Sequence, residues 1–257
     1  MLGLYDSGLG GLTVLAALRR AGVDQDVVYF ADQAHVPYGD KTDTQLHGYL
    51  EENLTLLAGL RVDAVVTACN TTCAVAERHG WPAAPFPVLD LIATAGRSFA
   101  GTQHRRIAVV ATVATVRSGA YARAICVAAP QADVFEVAAP ALVPIVEAGE
   151  ADTPAAGAAV SAVVAQLAPD VDALVYGCTH YPLLDRWFAQ ALGPRIERID
   201  PAIAQAAAAH ELVAELKLAP GTSSTTYYTN GDAEAFETAI RRWTGDITGR
   251  VSALVNR

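Results

Sequence analysis

Two cysteines stand where a short apolar run gives way to small and polar residues: Cys69 in Val65-Val66-Thr67-Ala68-Cys69-Asn70-Thr71, and Cys178 in Val175-Tyr176-Gly177-Cys178-Thr179-His180. The thiolate is the basic form of cysteine, and a place just ahead of a helix, facing unpaired N–H groups, lowers a thiol's pKa. Similar groups on two walls of one cleft suit the inversion of a carbon stereocentre. One group takes the proton from one face, the other delivers a proton to the opposite face, and the roles exchange for the mirror-image substrate. Asp6 and His180 are ionisable neighbours able to tune the thiols or help move protons. Ser7, Asn70, Thr71, Thr179 and the loop Pro37-Tyr38-Gly39 add neutral donors and acceptors. With helix N-terminal amides, such groups hold the carboxylates of a small molecule without a cationic cluster. Of the other cysteines, Cys73 reads as a small buried filler, with oxidative pairing to Cys69 as the alternative, and Cys126 in its Ala-rich segment reads as packing.

The elements that must position these groups follow from periodicity. Strands are expected at Leu2–Tyr5, Val27–Ala31, Ala64–Thr67, Pro87–Leu89, Ile107–Ala111, Val134–Val137, Ala173–Tyr176 and Ile196–Ile199. Segments of helical length lie between them, such as Asp43–Leu60 and Thr153–Leu167, so the chain predicts parallel sheets covered on both faces. The order also repeats. Val62–Thr71 echoes Val171–His180, each copy has an Asp about two dozen residues on (Asp90, Asp200), and Leu2–Ser7 matches Ile107–Thr112. Two copies of one unit are the simplest account, with strand ends converging on one cleft. The fold class is therefore α/β: two pseudo-symmetric domains with mostly parallel sheets and an active-site cleft between them. Residues 1–93 with 203–257 are expected to form the first domain and 94–202 the second. The segment Asp232–Trp243 follows a turn at Asn230-Gly231, with Asp232 suited to an N-cap.

Composition removes several function classes. Of 257 residues, 52% are hydrophobic and 18% charged, enough apolar material for a sizeable core and too much for a disordered chain. Eighteen Lys+Arg against 27 Asp+Glu leave a net charge of −9, so no nucleic-acid partner is expected. No apolar stretch reaches the ~20 residues of a membrane span, and no basic segment precedes an apolar one at the start, so a cytoplasmic protein without membrane contact is expected. Gly8-Leu9-Gly10-Gly11 has Thr13 where a dinucleotide fingerprint needs its third Gly. Only Lys41 and Lys217 are available for a Schiff base, and neither ends a strand at a phosphate loop; pyridoxal phosphate is not expected. Cys69 and Cys73 lack the second ligand pair of a zinc site, so no metal is expected either.

Taken together, Asp6-Ser7-Gly8-Leu9-Gly10-Gly11, Pro37-Tyr38-Gly39, Ala68-Cys69-Asn70-Thr71 and Gly177-Cys178-Thr179-His180-Tyr181-Pro182 resemble the glutamate racemases of peptidoglycan precursor synthesis, in family order and across essentially the whole chain. The resemblance implies a cofactor-independent racemase with Cys69 and Cys178 as paired acid/base thiols assisted by Asp6 and His180. Ser7, Pro37, Tyr38, Gly39, Asn70, Thr71 and Thr179 would then line a glutamate pocket together with Asp6 and His180. Asp32 and Glu147 fall where the family carries supporting acidic residues, and Thr112 and Thr115 join them as supporting residues. A homodimer is the expected assembly. The stretch Asp32-Gln33-Ala34-His35 departs from the commoner Asp-Thr-Ala-Arg version, which alters the charge near the pocket mouth. Aspartate- or hydantoin-type racemases share the two-cysteine plan, but the aspartate relatives look more like Gly-Cys-Thr-Glu where this chain has His180. A glutamate-binding regulatory protein on the same scaffold, with a partner such as a topoisomerase, is the reading from a different class.

Overall fold

The computed structural model describes residues 1–244 and 251–253. Ten strands are described: β1 (Leu2–Asp6), β2 (Val27–Ala31), β3 (Ala64–Thr67), β4 (Val88–Leu89), β5 (Arg106–Ala111), β6 (Asp133–Ala138), β7 (Ala173–Gly177), β8 (Glu197–Ile199), β9 (Thr225–Thr229) and β10 (Val251–Ala253). The helices are α1 (Gly11–Arg20), α2 (Asp43–Gly59), α3 (Asn70–His79), α4 (Leu91–Arg97), α5 (Val113–Ser118), α6 (Ala120–Ala128), α7 (Leu142–Glu147), α8 (Pro154–Val164), α9 (Asp185–Leu192), α10 (Pro201–Glu215) and α11 (Ala233–Thr244). None of the described helices is long and apolar enough to cross a membrane.

The strands form two sheets, ordered β10-β9-β2-β1-β3-β4 and β6-β5-β7-β8, and every described pairing is parallel. The α/β class is as expected, and the repeat extends to the register. Leu2 pairs with Val27 and Ala64, just as Ile107 pairs with Val134 and Ala173. β1, β3 and β7 are buried along their whole length and read as unbroken apolar runs because helices cover both faces. Two strands escaped the sequence reading. β9, Thr-Thr-Tyr-Tyr-Thr, buries alternate residues, so it carries no continuous apolar run, and β10 is a three-residue edge.

Helix starts follow local chemistry. Thr42 and Gln45 form a reciprocal capping box at α2, and Asp90 and Asp200 cap α4 and α10 through their side chains. These last two helices cross over. α4 follows the first sheet but buries Leu91, Ile92 and Ala95 among Ile107, Val109 and Val175 of the second; α10 follows the second sheet but buries Ala202, Ala206 and Ala209 beside Leu4 and Val66 of the first. The two crossed helices also pack on each other. Gly96 permits the close approach of α4 to α6, since a Cβ there would lie 2.7 Å from the Ala124 Cβ.

Candidate active site

Ligands of open parallel sheets bind beyond the carboxyl ends of the strands. Here Asp6 ends β1 and Cys69 follows β3, while Thr112 follows β5 and Cys178 follows β7, the corresponding places in the repeat. The ends meet in a narrow, largely enclosed cavity of about 60 Å³. From the first unit Ser7, Pro37, Tyr38, Gly39, Cys69, Asn70 and Thr71 line it; from the second, Thr112, Cys178, Thr179 and His180. The two cysteines are only 4% and 5% exposed, so bulk water is largely excluded from both.

Asp6, Asp32, Thr115 and Glu147 do not line the cavity; they stand behind residues that do. Asp6 is fully buried, and its Oδ2 accepts from the amides of Gly11 (2.7 Å) and Gly8 (3.3 Å). Burial pushes its pKa up to about 6, against the pull of the His180 charge and these two N–H donors. Glu147 Oε1 accepts from the Leu9 amide (3.0 Å) and lies 2.6 Å from His180 Nε2. The other ring nitrogen, Nδ1, is 3.7 Å from Cys178 Sγ. Burial alone would lower the His180 pKa; hydrogen bonds and charge from Cys178 and Glu147 overcome it and raise the pKa well above its ordinary value, which favours the protonated ring. The glycines of the first loop make room for this contact. A Cβ on Gly8 would fall 2.3 Å from Glu147 Oε1, and one on Gly10 would fall 2.6 Å from His180 Nδ1.

Two expectations about the thiols are corrected. Cys69 does cap α3, but burial, and then the nearby Asp6, push its thiol up to about 12, despite its hydrogen bonding with Thr72 and Ser7. Desolvation outweighs the helix terminus in a largely enclosed cavity. Cys178 is followed by a 3₁₀ turn at Tyr181–Leu184 instead of a helix, and α9 begins only at Asp185, so the partner of Cys178 is the His180 ring. Cys73 is fully buried, with its Sγ 3.1 Å from Thr67 Oγ1 and packed among Leu91, Phe99 and Tyr121, whereas Cys69 packs with Tyr38 and Leu46; Cys73 behaves as a filler. Cys126 is exposed on α6 and does not pack.

Apart from Asp40 and His180, the polar lining is neutral, and it is tied across the two units. Thr71 Oγ1 lies 2.9 Å from Thr112 Oγ1 and 3.3 Å from Thr115 Oγ1. Asn70 is 3% exposed; its Oδ1 accepts from Tyr121 OH at 2.5 Å, while its Nδ2 has no partner within the protein. A buried amide with a spare N–H₂ beside a cavity is equipped to donate to an anionic ligand. No Lys or Arg stands among the lining residues. Sequence reading missed Val36, Asp40, Val113, Pro140, Val143 and Pro144 in the lining and Tyr5, Asn53, Thr72 and Tyr121 behind it.

Comparison with known proteins gives one consistent result. The chain is 39% identical to the glutamate racemase of Desulforudis audaxviator over 255 residues, covering 95% of this chain and 93% of that one. It is 40% identical to that of Gloeobacter violaceus over 248 residues, with 95% and 92% covered. Among solved structures, a glutamate racemase of Thermus thermophilus in complex with beta-chloro-D-alanine superposes with a TM-score of 0.85 at 33% identity, covering 98% of this chain and 96% of that one. One from Bacillus anthracis reaches a TM-score of 0.91 at 28% identity, with 99% and 97% covered. The family model for Asp/Glu/hydantoin racemases matches residues 13–209, which include the whole second sheet and both cavity cysteines, and the chain belongs to that family.

Proposed function

We propose that the protein interconverts L- and D-glutamate by two-base proton transfer between Cys69 and Cys178, without a cofactor. The observation that carries this reading is that two thiols from corresponding strand ends of a repeated unit line one largely enclosed cavity. One sulfur, as thiolate, takes the α-proton; the other, as thiol, gives its proton to the opposite face of the carbon, and the enzyme is left with the two protonation states exchanged. Carbanion-like charge at the α-carbon is met by preorganised donors in a water-poor site: Ser7, Asn70, Thr71 and Thr179 hold the carboxylates, and the spare Asn70 Nδ2 donors favour a dianionic ligand. His180, beside Cys178 and anchored by Glu147, assists that thiol, and Asp6 assists Cys69.

In this reading the domains are 1–93 with 203–257, and 94–202, and they part to admit substrate. The protein acts in the cytoplasm as a homodimer and supplies D-glutamate for peptidoglycan synthesis. The test is a chiral assay on purified protein without added cofactor, across glutamate, aspartate and a hydantoin, repeated in D2O with Cys69→Ser and Cys178→Ser. Each variant is expected to lose most racemisation while retaining one-sided α-proton abstraction or elimination from one enantiomer. Full turnover by both would refute the two-thiol assignment.

A further inference from the structure

Beside Cys69 lies a file of buried hydroxyl groups, one of which, Tyr38, also lines the cavity. The Thr72 side chain hydrogen-bonds the Cys69 thiol. Thr72 Oγ1 is 3.3 Å from Tyr5 OH, Tyr5 OH is 2.9 Å from Tyr38 OH, and Tyr38 OH donates to Asp32 Oδ2 in a very short hydrogen bond. Asp32 is fully buried, and its Oδ1 lies 2.7 Å from Nδ1 of His35, whose side chain is 26% exposed. Asn53 Nδ2 bridges Tyr5 OH and Asp32 Oδ2 at 3.0 and 3.1 Å, and Asn230 Nδ2 donates to Asp32 Oδ1 at 2.5 Å. Every step from Thr72 to His35 is within hydrogen-bond reach, and the file runs from the neighbour of a buried sulfur to a partly exposed imidazole.

The acceptor-only end fixes the direction of the whole file. A carboxylate cannot donate, so Tyr38 gives its one proton to Asp32 and must accept from Tyr5. Tyr5, having spent its proton on Tyr38, accepts from Thr72, and Thr72 in turn has only its lone pairs left for the Cys69 S–H. All donors therefore point outward from the thiol. If every proton moves one place, Cys69 becomes a thiolate, Asp32 a carboxylic acid, and each hydroxyl reverses, so that Thr72 now donates to sulfur. These are two complete hydrogen-bonded states of one network, and neither leaves a buried group unpaired.

We propose that Thr72, Tyr5, Tyr38 and Asp32 form a proton wire that resets Cys69 between turnovers, opening to solvent at His35. The proposal rests on the two-thiol reading above. After a turnover that leaves Cys69 as thiol and Cys178 as thiolate, the pair must be exchanged before the same enantiomer can react again. The S–H bond of Cys69 breaks and its proton passes to Thr72, each hydroxyl hands on its own proton, and Asp32 Oδ2 takes the last. Asp32 Oδ2–H then breaks and its proton passes to water at the partly exposed His35 end of the file, restoring the carboxylate. On the opposite wall Cys178 takes a proton from His180, which is reprotonated from water by way of Glu147, so no net charge is left behind.

The wire acts on free enzyme, so it enters kcat but not kcat/KM. That separates it from a structural role, which would lower kcat/KM. Tyr5→Phe keeps the ring in the core and removes the middle hydroxyl. It is expected to lower kcat about ten-fold in both directions with KM falling in parallel, leaving kcat/KM within about two-fold of wild type. Thr72→Val is expected to do the same and Thr72→Ser to restore wild-type kcat, which keeps the test open if Tyr5→Phe does not fold. An unchanged kcat in Tyr5→Phe and Thr72→Val, or a kcat/KM reduced as much as kcat, overturns the wire. Loss of racemisation in Cys69→Ser alongside an unaffected Tyr5→Phe sinks the wire alone, whereas a fully active Cys69→Ser sinks the two-thiol reading beneath it.

Discussion

Replacing Asp6 by Asn should make the protein more stable at neutral pH and less active. Asp6 is fully buried, and its carboxyl is pushed from an ordinary 3.8 to about 6, mainly by burial, with the His180 charge and the Gly8 and Gly11 amides opposing. Between those two values the folded protein keeps a proton that the unfolded chain has released, so folding is progressively disfavoured as pH rises through that window. A tenfold change in protonation is worth about 1.4 kcal/mol, which puts about 3 kcal/mol of destabilisation at pH 7.5 on this one ionised carboxylate. Asn keeps the carbonyl oxygen that accepts from Gly11 and Gly8 and carries no charge. Urea unfolding of the wild type and Asp6→Asn at pH 3.5 and 7.5 reads the difference directly, because every other titrating group is common to both. The two should be nearly equal in acid, and the variant more stable by about 3 kcal/mol at pH 7.5. Parallel stability-against-pH curves, or a variant weaker than wild type at pH 7.5, would refute the reasoning. The accompanying loss of racemisation is the cost of removing a charge held at the site.

Tyr121→Phe removes the hydroxyl that holds Asn70 Oδ1 from the second unit, freeing the amide to turn its spare N–H₂ away from the cavity. Loss of that hydrogen bond, worth about 1 kcal/mol, should raise KM for glutamate about five-fold with a smaller change in kcat; steady-state kinetics with an unaltered KM would contradict it. Glu147→Gln removes a negative charge that favours the protonated His180 ring, so the basic limb of the kcat/KM–pH profile should move to lower pH. A profile that does not move would show that His180 takes no part in proton delivery.

Much of the fold could be read because buried parallel strands are written as continuous apolar runs; Leu2–Asp6, Ala64–Thr67 and Ala173–Gly177 needed no tertiary information. Thr225–Thr229 did need it, since that strand lies near the edge of the sheet and alternates. The cavity lining was legible where motif residues end strands, as at Ser7, Cys69, Cys178 and Thr179. What surrounds it was not. Tyr5, Asn53, Thr72 and Tyr121 look like ordinary core or helix residues until folding joins the polar tips of the first three and sets the Tyr121 hydroxyl on Asn70. The thiol pKa failed for a related reason. Proximity to a helix start is a local property visible in sequence, whereas the burial that pushes Cys69 up to about 12 belongs to the cleft as a whole.

The exchange of α4 and α10 between sheets has a mechanical consequence. Each half of the molecule carries a helix whose apolar face is rooted in the other half, and the two rooted helices lean on each other. Pulling the halves straight apart would strip both from their cores at once. If the halves part as proposed above, the crossed pair is the pivot left for the swing, and a gene cut between the halves would yield two fragments, each missing part of its own cover.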